Sequence, residues 1–464
     1  MNVIRQANPN ILNFLGEQHY KEGIKYRVNK YCYVLEQEYY YIIYNTLTGG
    51  IITIYPFEWD NKFINIKSDY VQHLYNDYFI VPDNFNEDEI IELYRKKSSK
   101  EILSNYLDTP DSFTILTTTE CNARCTYCYE LGIENKHSMS TETADKVADY
   151  IINNGSKMRP LVISWFGGEP LYNKEVINLI TTKVRSNGFN LSTSMISNGY
   201  LFDDKTIYLA KHVWGLNSVQ ITLDGTESVY NKTKRYIYKD DPNPFKTVIN
   251  NIHKLIENDI FVSIRLNGGV HNSDNLLELV KFLGEEFKDV KHKMQIYVWE
   301  IFTNRARTEE EAQKLFPKLT EIHNLIHESG FNSPQNLEHG IKSIHCMVDA
   351  GNGVIIDPSG NLGLCEHYPH TGFLGHVDDP HTKDFEIIKS WRDYVSTNEP
   401  ICQTCPIRPI CLKMRKCTDE FICTKPELDY LLNKINSDLV ILDKSFYQEK
   451  INQNSCECKK CCQD

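Results

Sequence analysis

Long apolar runs are what this 464-residue chain most lacks: no uncharged hydrophobic stretch approaches a membrane span, and the mean hydropathy is -0.43. No membrane partner is expected. The opening residues, Met1-Asn2-Val3-Ile4-Arg5-Gln6, hold no apolar signal-peptide core, so the cytoplasm is the expected location. Positive charge is also short: 50 Lys and Arg against 62 Asp and Glu leave a net charge of -12, which argues against a nucleic-acid partner. Cysteine, by contrast, is abundant, with 15 residues. Cytosolic thiols stay reduced, so clusters of them mark metal or redox sites rather than disulfides. The length suggests roughly three domains.

Three of the cysteines fall within eight residues, in Thr119-Glu120-Cys121-Asn122-Ala123-Arg124-Cys125-Thr126-Tyr127-Cys128-Tyr129. The apolar run Phe113-Thr114-Ile115-Leu116 precedes them, which places the loop where a strand ends at one mouth of a sheet. A [4Fe–4S] cluster has four corners, each normally held by a thiolate, so three thiolates leave one iron free for another ligand. Structural zinc prefers four protein ligands in paired spacing, and His137 lies nine residues past Cys128. The pattern CxxxCxΦC, with Tyr127 at Φ, resembles the signature of the radical SAM superfamily. That resemblance implies that Cys121, Cys125 and Cys128 hold a [4Fe–4S] cluster. Its free iron would chelate S-adenosylmethionine (SAM), and its electron would cleave SAM to a 5′-deoxyadenosyl radical. An electron donor such as flavodoxin or ferredoxin is implied with it.

Behind the loop, apolar runs at 161–166, 192–196, 218–223, 261–266 and 294–299 alternate with helical patterns at 141–153, 174–184, 203–212, 245–257, 275–287 and 309–329. Counting the run before the cysteines, six strands alternating with helices predict a parallel sheet with right-handed crossovers. The resemblance implies an α/β fold, a partial (β/α)6 TIM-like barrel over residues 106–334. Such architectures place chemistry at the carboxyl ends of strands. Phe166-Gly167-Gly168-Glu169-Pro170, after the second strand, resembles the family's GGE motif. Gly167 and Gly168 would let backbone approach a ligand, and Glu169 suits the ammonium of SAM. By resemblance Ser197, Asn198 and Asp224 lie near the SAM ribose and Arg235 near its carboxylate. Tyr127 and Arg265 are counted with the same pocket. Turns or caps are the plain alternative for Asn198 and Asp224, and a surface ion pair for Arg265.

Residues 335–435 hold seven more cysteines: Cys346, Cys365, Cys402, Cys405, Cys411, Cys417 and Cys423. Gly360-Asn361-Leu362-Gly363-Leu364-Cys365 and the CxxC-x5-C run from Cys402 through Cys405 to Cys411 resemble the SPASM domain, which implies two auxiliary [4Fe–4S] clusters on these seven thiolates. Cys417 follows after five residues where the family usually leaves three, and Cys423 comes early. A zinc knuckle of Cys402, Cys405, Cys411 and Cys417 is the alternative. Glu366 stands where sulfatase-maturating relatives place a catalytic acid. Past Cys423 a helical pattern at 428–442 leads into a polar, cysteine-rich tail, taken as residues 436–464, whose stretch 452–462 is expected to be mobile without metal.

Residues 1–105 contain one cysteine, Cys32. The run from Tyr31 to Tyr44, the turn at 45–50 and Ile51-Ile52-Thr53-Ile54 read as a β-hairpin. Short helices at 68–76 and 87–97, the second capped by Asn86, make the whole a winged-helix-like module. Tyr39, Tyr40 and Tyr41 offer either a peptide-docking edge or ordinary cross-strand pairs. By resemblance the module is a peptide-recognition (RRE-like) element that holds the leader of a precursor peptide. The expected function is therefore a radical SAM peptide (RiPP) maturase forming a thioether or carbon-linked crosslink. Anaerobic sulfatase maturation, which makes formylglycine, and a non-enzymatic iron–sulfur or zinc scaffold are the alternatives.

Overall fold

The computed structural model describes residues 1–18, 21, 23–59, 71–104, 109–128, 136–301, 307–331, 337–344, 350–366, 373–379, 400–411 and 423–460. Cys346 and Cys417 lie outside these residues. The apolar run from Tyr31 to Tyr44 exceeds one strand, and a turn through Glu38 and Tyr39 divides it into β3 (Cys32–Glu36) and β4 (Tyr41–Asn45). With β1 (Asn2–Arg5) and β5 (Ile51–Ile54) they form an antiparallel sheet in the order β1-β5-β4-β3, and a smaller sheet pairs β2 (Tyr26–Val28) with β6 (Ile80–Pro82). Alternation sends the tyrosines to different faces. Tyr39 is exposed, the Tyr40 hydroxyl donates to Asp443 at 2.5 Å, and Tyr41 packs on the opposite side with Ile43 and Ile52. The helix Glu87–Ser104 starts with Asn86 Oδ1 accepting from Glu89 N at 3.2 Å, the expected cap. It runs past the expected end because Arg95, Lys96, Lys97 and Lys100 are good helix formers.

The core is a run of six parallel strands lying side by side in sequence order: β7 (Ser112–Thr118), β8 (Leu161–Gly167), β9 (Leu191–Ser197), β10 (Leu216–Leu223), β11 (Phe261–Gly268) and β12 (Met294–Glu300). This is the expected α/β arrangement. Ile163, Trp165, Met195, Val219, Ile221, Val262, Ile264, Ile296 and Val298 are fully buried in the main core, which the covering helices share. Between them, polar residues line the other face and bond across strands: Ser194 to Ser164 at 3.2 Å, Gln295 to Ser263 at 2.9 Å, Tyr297 to Gln220 at 2.6 Å. Parallel strands buried on both faces read as continuous apolar runs. The alternation here marks a sheet with helices on one face and a polar interior on the other.

The sheet does not stop at six strands. β13 (Gly353–Ile356) pairs in parallel with β7, and β14 (Asn361–Gly363) and β15 (Gly375–His376) extend it antiparallel to nine. The C-terminal helix Lys425–Lys460 contains the helical pattern expected at 428–442 and continues into the polar tail. It packs on two bodies at once. Asn436 and Tyr447 bond Tyr33 and Asn2 of the N-terminal sheet, while Ser437 bonds Asn324 and Tyr430 stacks near Phe316 on the core helix Glu309–Glu328. Among the described residues no helix is long and apolar enough to cross a membrane.

The N-terminal sheet is also sewn to the segment before Cys346. Arg5 donates to the carbonyls of Leu337 and Glu338 at 2.9 and 2.8 Å, Asn8 to His339 O at 2.8 Å, and Ile341 N to Leu47 O at 3.0 Å. Gly49 and Gly340 make the approach possible. A Cβ on Gly49 would sit 2.5 Å from the His339 carbonyl carbon, and one on Gly340 would sit 2.4 Å from Ile11 Cδ1 and 2.8 Å from Leu47 O.

His323 is buried against His327, with 3.2 Å between their Nε2 atoms. Burial, then His327 and Lys434, lower its pKa from 6.5 to about 3. A histidine kept neutral by the fold costs nothing above pH 6.5, and stability is lost as pH falls from 6.5 toward 3. At pH 5 that loss is about 2 kcal/mol. Urea unfolding at pH 7 and pH 5 checks it: the His323→Leu variant loses that much less between the two pH values than the parent protein.

Candidate active site

β7 ends at Thr118, and Cys121, Cys125 and Cys128 follow, all half-buried. Neighbouring backbone holds this loop on both sides. Arg124 N donates to Lys234 O at 2.8 Å, Thr126 N to Thr233 O at 3.2 Å and Ile237 N to Asn122 O at 2.9 Å. Opposite, Gly168 N donates to Thr118 O at 2.9 Å and Glu169 N to Glu120 O at 3.0 Å. A Cβ on Gly167 or Gly168 would lie 2.2 Å from the Thr118 or Glu120 carbonyl oxygen. What approaches these two glycines is the backbone at the end of β7 and the start of the cysteine loop.

Glu169 is wholly buried. Its Oε1 accepts from Leu171 N at 3.2 Å and Ser197 Oγ at 2.9 Å, and its Oε2 from Asn198 N at 2.8 Å. Burial raises its pKa, against these hydrogen bonds and the charge of Lys234, which lower it. Asn198 Nδ2 donates to Asn122 Oδ1 at 2.6 Å and lies 3.8 Å from Cys121 Sγ. The GGE segment, the end of β9 and the cysteine loop thus form one connected chain of hydrogen bonds.

A second network lies under Tyr127. Its hydroxyl donates to the Asp224 carboxylate at 2.9 Å and accepts from Lys234 Nζ at 3.0 Å and Asn267 Nδ2 at 3.1 Å. Lys234 also pairs with Asp224 at 3.0 Å and donates to Thr222 Oγ1 at 2.6 Å. Both charged side chains are at most 2% exposed, so removing either one strands its partner, a loss of roughly 3–5 kcal/mol. Burial alone would lower the Lys234 pKa, but Asp224, then Tyr127, Cys125 and Tyr230, hold it well above its ordinary value. Its fixed positive charge lowers the Cys125 thiol pKa, against the larger effect of burial.

Arg235, the cation expected in the pocket, is exposed instead. It caps the helix Glu227–Lys234 with φ 50°, its Nε on the Lys232 carbonyl. Sequence reasoning missed Lys234 and Asn122 as site residues. One signal was available for Lys234: it stands four residues after Tyr230, on the same helix face, and both are buried. Arg265 lies half-buried beside Tyr297 on the polar face of β11, two residues before Asn267. Glu366 is half-buried after β14, its Oε2 3.7 Å from Cys365 Sγ.

The Cys121 thiol pKa is pushed up to about 12, by burial first, then Glu169, with Cys125 and Cys128 adding to it. Ala123 N points at its sulfur from 3.4 Å. Three thiols within each other's field, with N–H groups aimed at one sulfur and a buried ammonium near another, suit a cluster that draws off their protons as it binds. Among the described residues no three cysteine, histidine or acidic side chains already stand at ligating distance. The fit therefore lies in the donor set and its support.

Farther along, Cys402, Cys405 and Cys411 ride on short turns, with Cys405 N to Cys402 O at 3.4 Å and Cys411 N to Arg408 O at 3.3 Å. Burial first, then Cys411, Cys423 and Cys402, push the Cys405 thiol up to about 12. Cys423, which departs from the family spacing, packs against the same apolar cluster as Cys405.

A parallel α/β sheet with a three-thiol loop at the carboxyl end of its first core strand is a frame that suits an iron–sulfur cluster. Residues 115–283 match the Radical SAM superfamily. That segment carries a radical SAM domain, and the protein is an enzyme that works with SAM and a [4Fe–4S] cluster. It is 25% identical over 279 residues to MJ0907, an uncharacterized protein of Methanocaldococcus jannaschii, spanning 59% of this chain and 91% of that one. It is 28% identical over 180 residues to the sporulation killing factor maturation protein SkfB of Bacillus subtilis, spanning 39% and 40%. In fold it is similar to anSMEcpe, solved with bound AdoMet, with a TM-score of 0.56 at 16% identity, covering 73% of this chain and 99% of that one.

Proposed function

We propose that this enzyme is a peptide maturase, which abstracts hydrogen from a ribosomally made precursor with a SAM-derived radical and forms a thioether or carbon-linked crosslink. The observation that carries the reading is the second thiol group, Cys402, Cys405, Cys411 and Cys423, of which Cys405 and Cys423 pack against an apolar cluster shared with the N-terminal sheet. With Cys365, Cys346 and Cys417 these cysteines would hold two auxiliary [4Fe–4S] clusters. The relatives support a peptide substrate: SkfB is a maturation protein, and anSMEcpe was solved with a bound Kp18Cys peptide. Glu169 and Asn198 would receive SAM, and reduced flavodoxin or ferredoxin would supply the electron. Glu366, beside a cluster thiolate, would accept the proton released when the substrate radical is oxidised.

The leader would dock on β3. Among the described strands β3 pairs only with β4, and Gln37 N bonds Tyr40 O at 2.9 Å, so alternation turns the N–H and C=O groups of Val34 and Glu36 to the open edge. An extended peptide can add there as a further strand. The test supplies anaerobically reconstituted enzyme with SAM, a reductant and the short cysteine-bearing peptides encoded near its gene. A product lighter by a pair of hydrogen atoms for each crosslink, formed with 5′-deoxyadenosine, is expected. An aldehyde replacing the cysteine thiol would identify formylglycine chemistry instead, and unmodified peptide alongside 5′-deoxyadenosine would reject the maturase.

A further inference from the structure

Arg95 lies midway along the helix Glu87–Ser104, in a basic run that would ordinarily face water, yet none of its surface is exposed. Its Nε donates to Lys342 O at 3.0 Å, and its Nη2 to the carbonyls of Arg408, Pro409 and Cys411 at 3.0, 2.8 and 3.0 Å. Nη2 carries two protons for three acceptors, so one proton is shared. Three carbonyl dipoles converging from neighbouring residues repel one another unless a cation gathers them. The planar guanidinium does this with donors fixed in a fork, which an ammonium on a flexible stem does not reproduce.

Those carbonyls belong to the turns that carry Cys405 and Cys411. Other groups of the N-terminal module hold the same turns: Asp88 takes Arg408 Nη1 at 2.9 Å, and Thr46 Oγ1 donates to Pro406 O at 2.7 Å. Ile407 and Ile410 pack with Ile42, Tyr44 and Ile51 of the N-terminal sheet, and Cys405 and Cys423 lie against that cluster.

We propose that Arg95 is a positioning residue for the auxiliary iron–sulfur site: it fixes the backbone of residues 408–411 so that the Cys405 and Cys411 thiols are set for the metal. The N-terminal module is then a structural part of that site as well as a place for a leader to dock. This rests on the assignment of Cys402, Cys405, Cys411 and Cys423 as cluster ligands.

The experiment reconstitutes four full-length proteins anaerobically with iron and sulfide: the parent, the double variant Cys402→Ala/Cys405→Ala, Arg95→Met and Arg95→Lys. Iron per chain, the electron paramagnetic resonance of the reduced clusters and 5′-deoxyadenosine formed from SAM alone are measured on each. The double-cysteine variant loses about four irons and one set of resonances. Arg95→Met loses most of the same iron and the same resonances while still cleaving SAM, and Arg95→Lys, with three donors, recovers part of both. Full iron in the double-cysteine variant would overturn the cluster assignment. Loss there with parental iron and resonances in Arg95→Met would overturn the role of Arg95 alone. If Arg95→Met does not fold, Asp88→Asn loosens the same turns from their more exposed end: reduced auxiliary iron supports the proposal and parental iron sinks it.

Discussion

Anaerobically reconstituted Cys125→Ala protein forms no 5′-deoxyadenosine from SAM and carries about four fewer irons than the parent. Cys125 is the middle thiol of the loop, flanked by Tyr127 and influenced by the buried Lys234 ammonium. Two remaining thiolates cannot hold a cluster that needs three protein corners. The apo protein keeps its fold, because the loop is fastened by backbone hydrogen bonds at Arg124, Thr126, Gly168 and Glu169 that do not involve the thiol. Chromatography of the nucleoside product, an iron assay and a thermal melt of the apo protein decide it. Parental 5′-deoxyadenosine formation by the variant would mean that the loop is not the catalytic ligand set.

Glu169→Gln moves two readouts together. The carboxylate accepts from Leu171 N, Ser197 Oγ and Asn198 N. A glutamine amide turns its NH2 group toward one of those backbone N–H donors, and a buried donor left without an acceptor loses about 1–3 kcal/mol. The charged hydrogen bond proposed between Glu169 and the SAM ammonium, roughly 1.5–3 kcal/mol, goes as well, and the expected result is SAM binding weakened about tenfold or more. Urea unfolding of the apo variant and calorimetric SAM titration of the reconstituted one separate the two effects. Lowered stability with parental SAM affinity would leave Glu169 as a bracket between β8 and β9 and nothing more.

The parts of the fold that were legible in the sequence are those in which a local pattern carries the information. β8 to β12 are apolar-rich runs of seven or eight positions, and their helices begin at recognisable caps such as Ser140 and Thr308. β13, four residues of which three are apolar, gives no such pattern, and its place beside β7 is fixed by tertiary pairing. The cysteine loop and the GGE segment were found from spacing. What the glycines do was not, because the group that presses on them comes from a strand some fifty residues earlier. Lys234 and Arg235 are adjacent and both basic, and only the phase of their helix says which one turns inward. Arg95 had no local signal at all: in composition it is the charged end of a helix, and its carbonyl partners lie more than two hundred residues away.

Gly49 and Gly340 sit back to back, with no room for a side chain on either. This constrains how such a chain can be inherited. A loosely tethered recognition module can be gained by gene fusion and exchanged between lineages, since nothing in its host has to match it. Here a fusion that took the N-terminal sheet from one ancestor and the segment before Cys346 from another would close only if both supplied glycine at these positions. The N-terminal sheet and the segment at 337–341 are therefore a matched pair, bound to descend together.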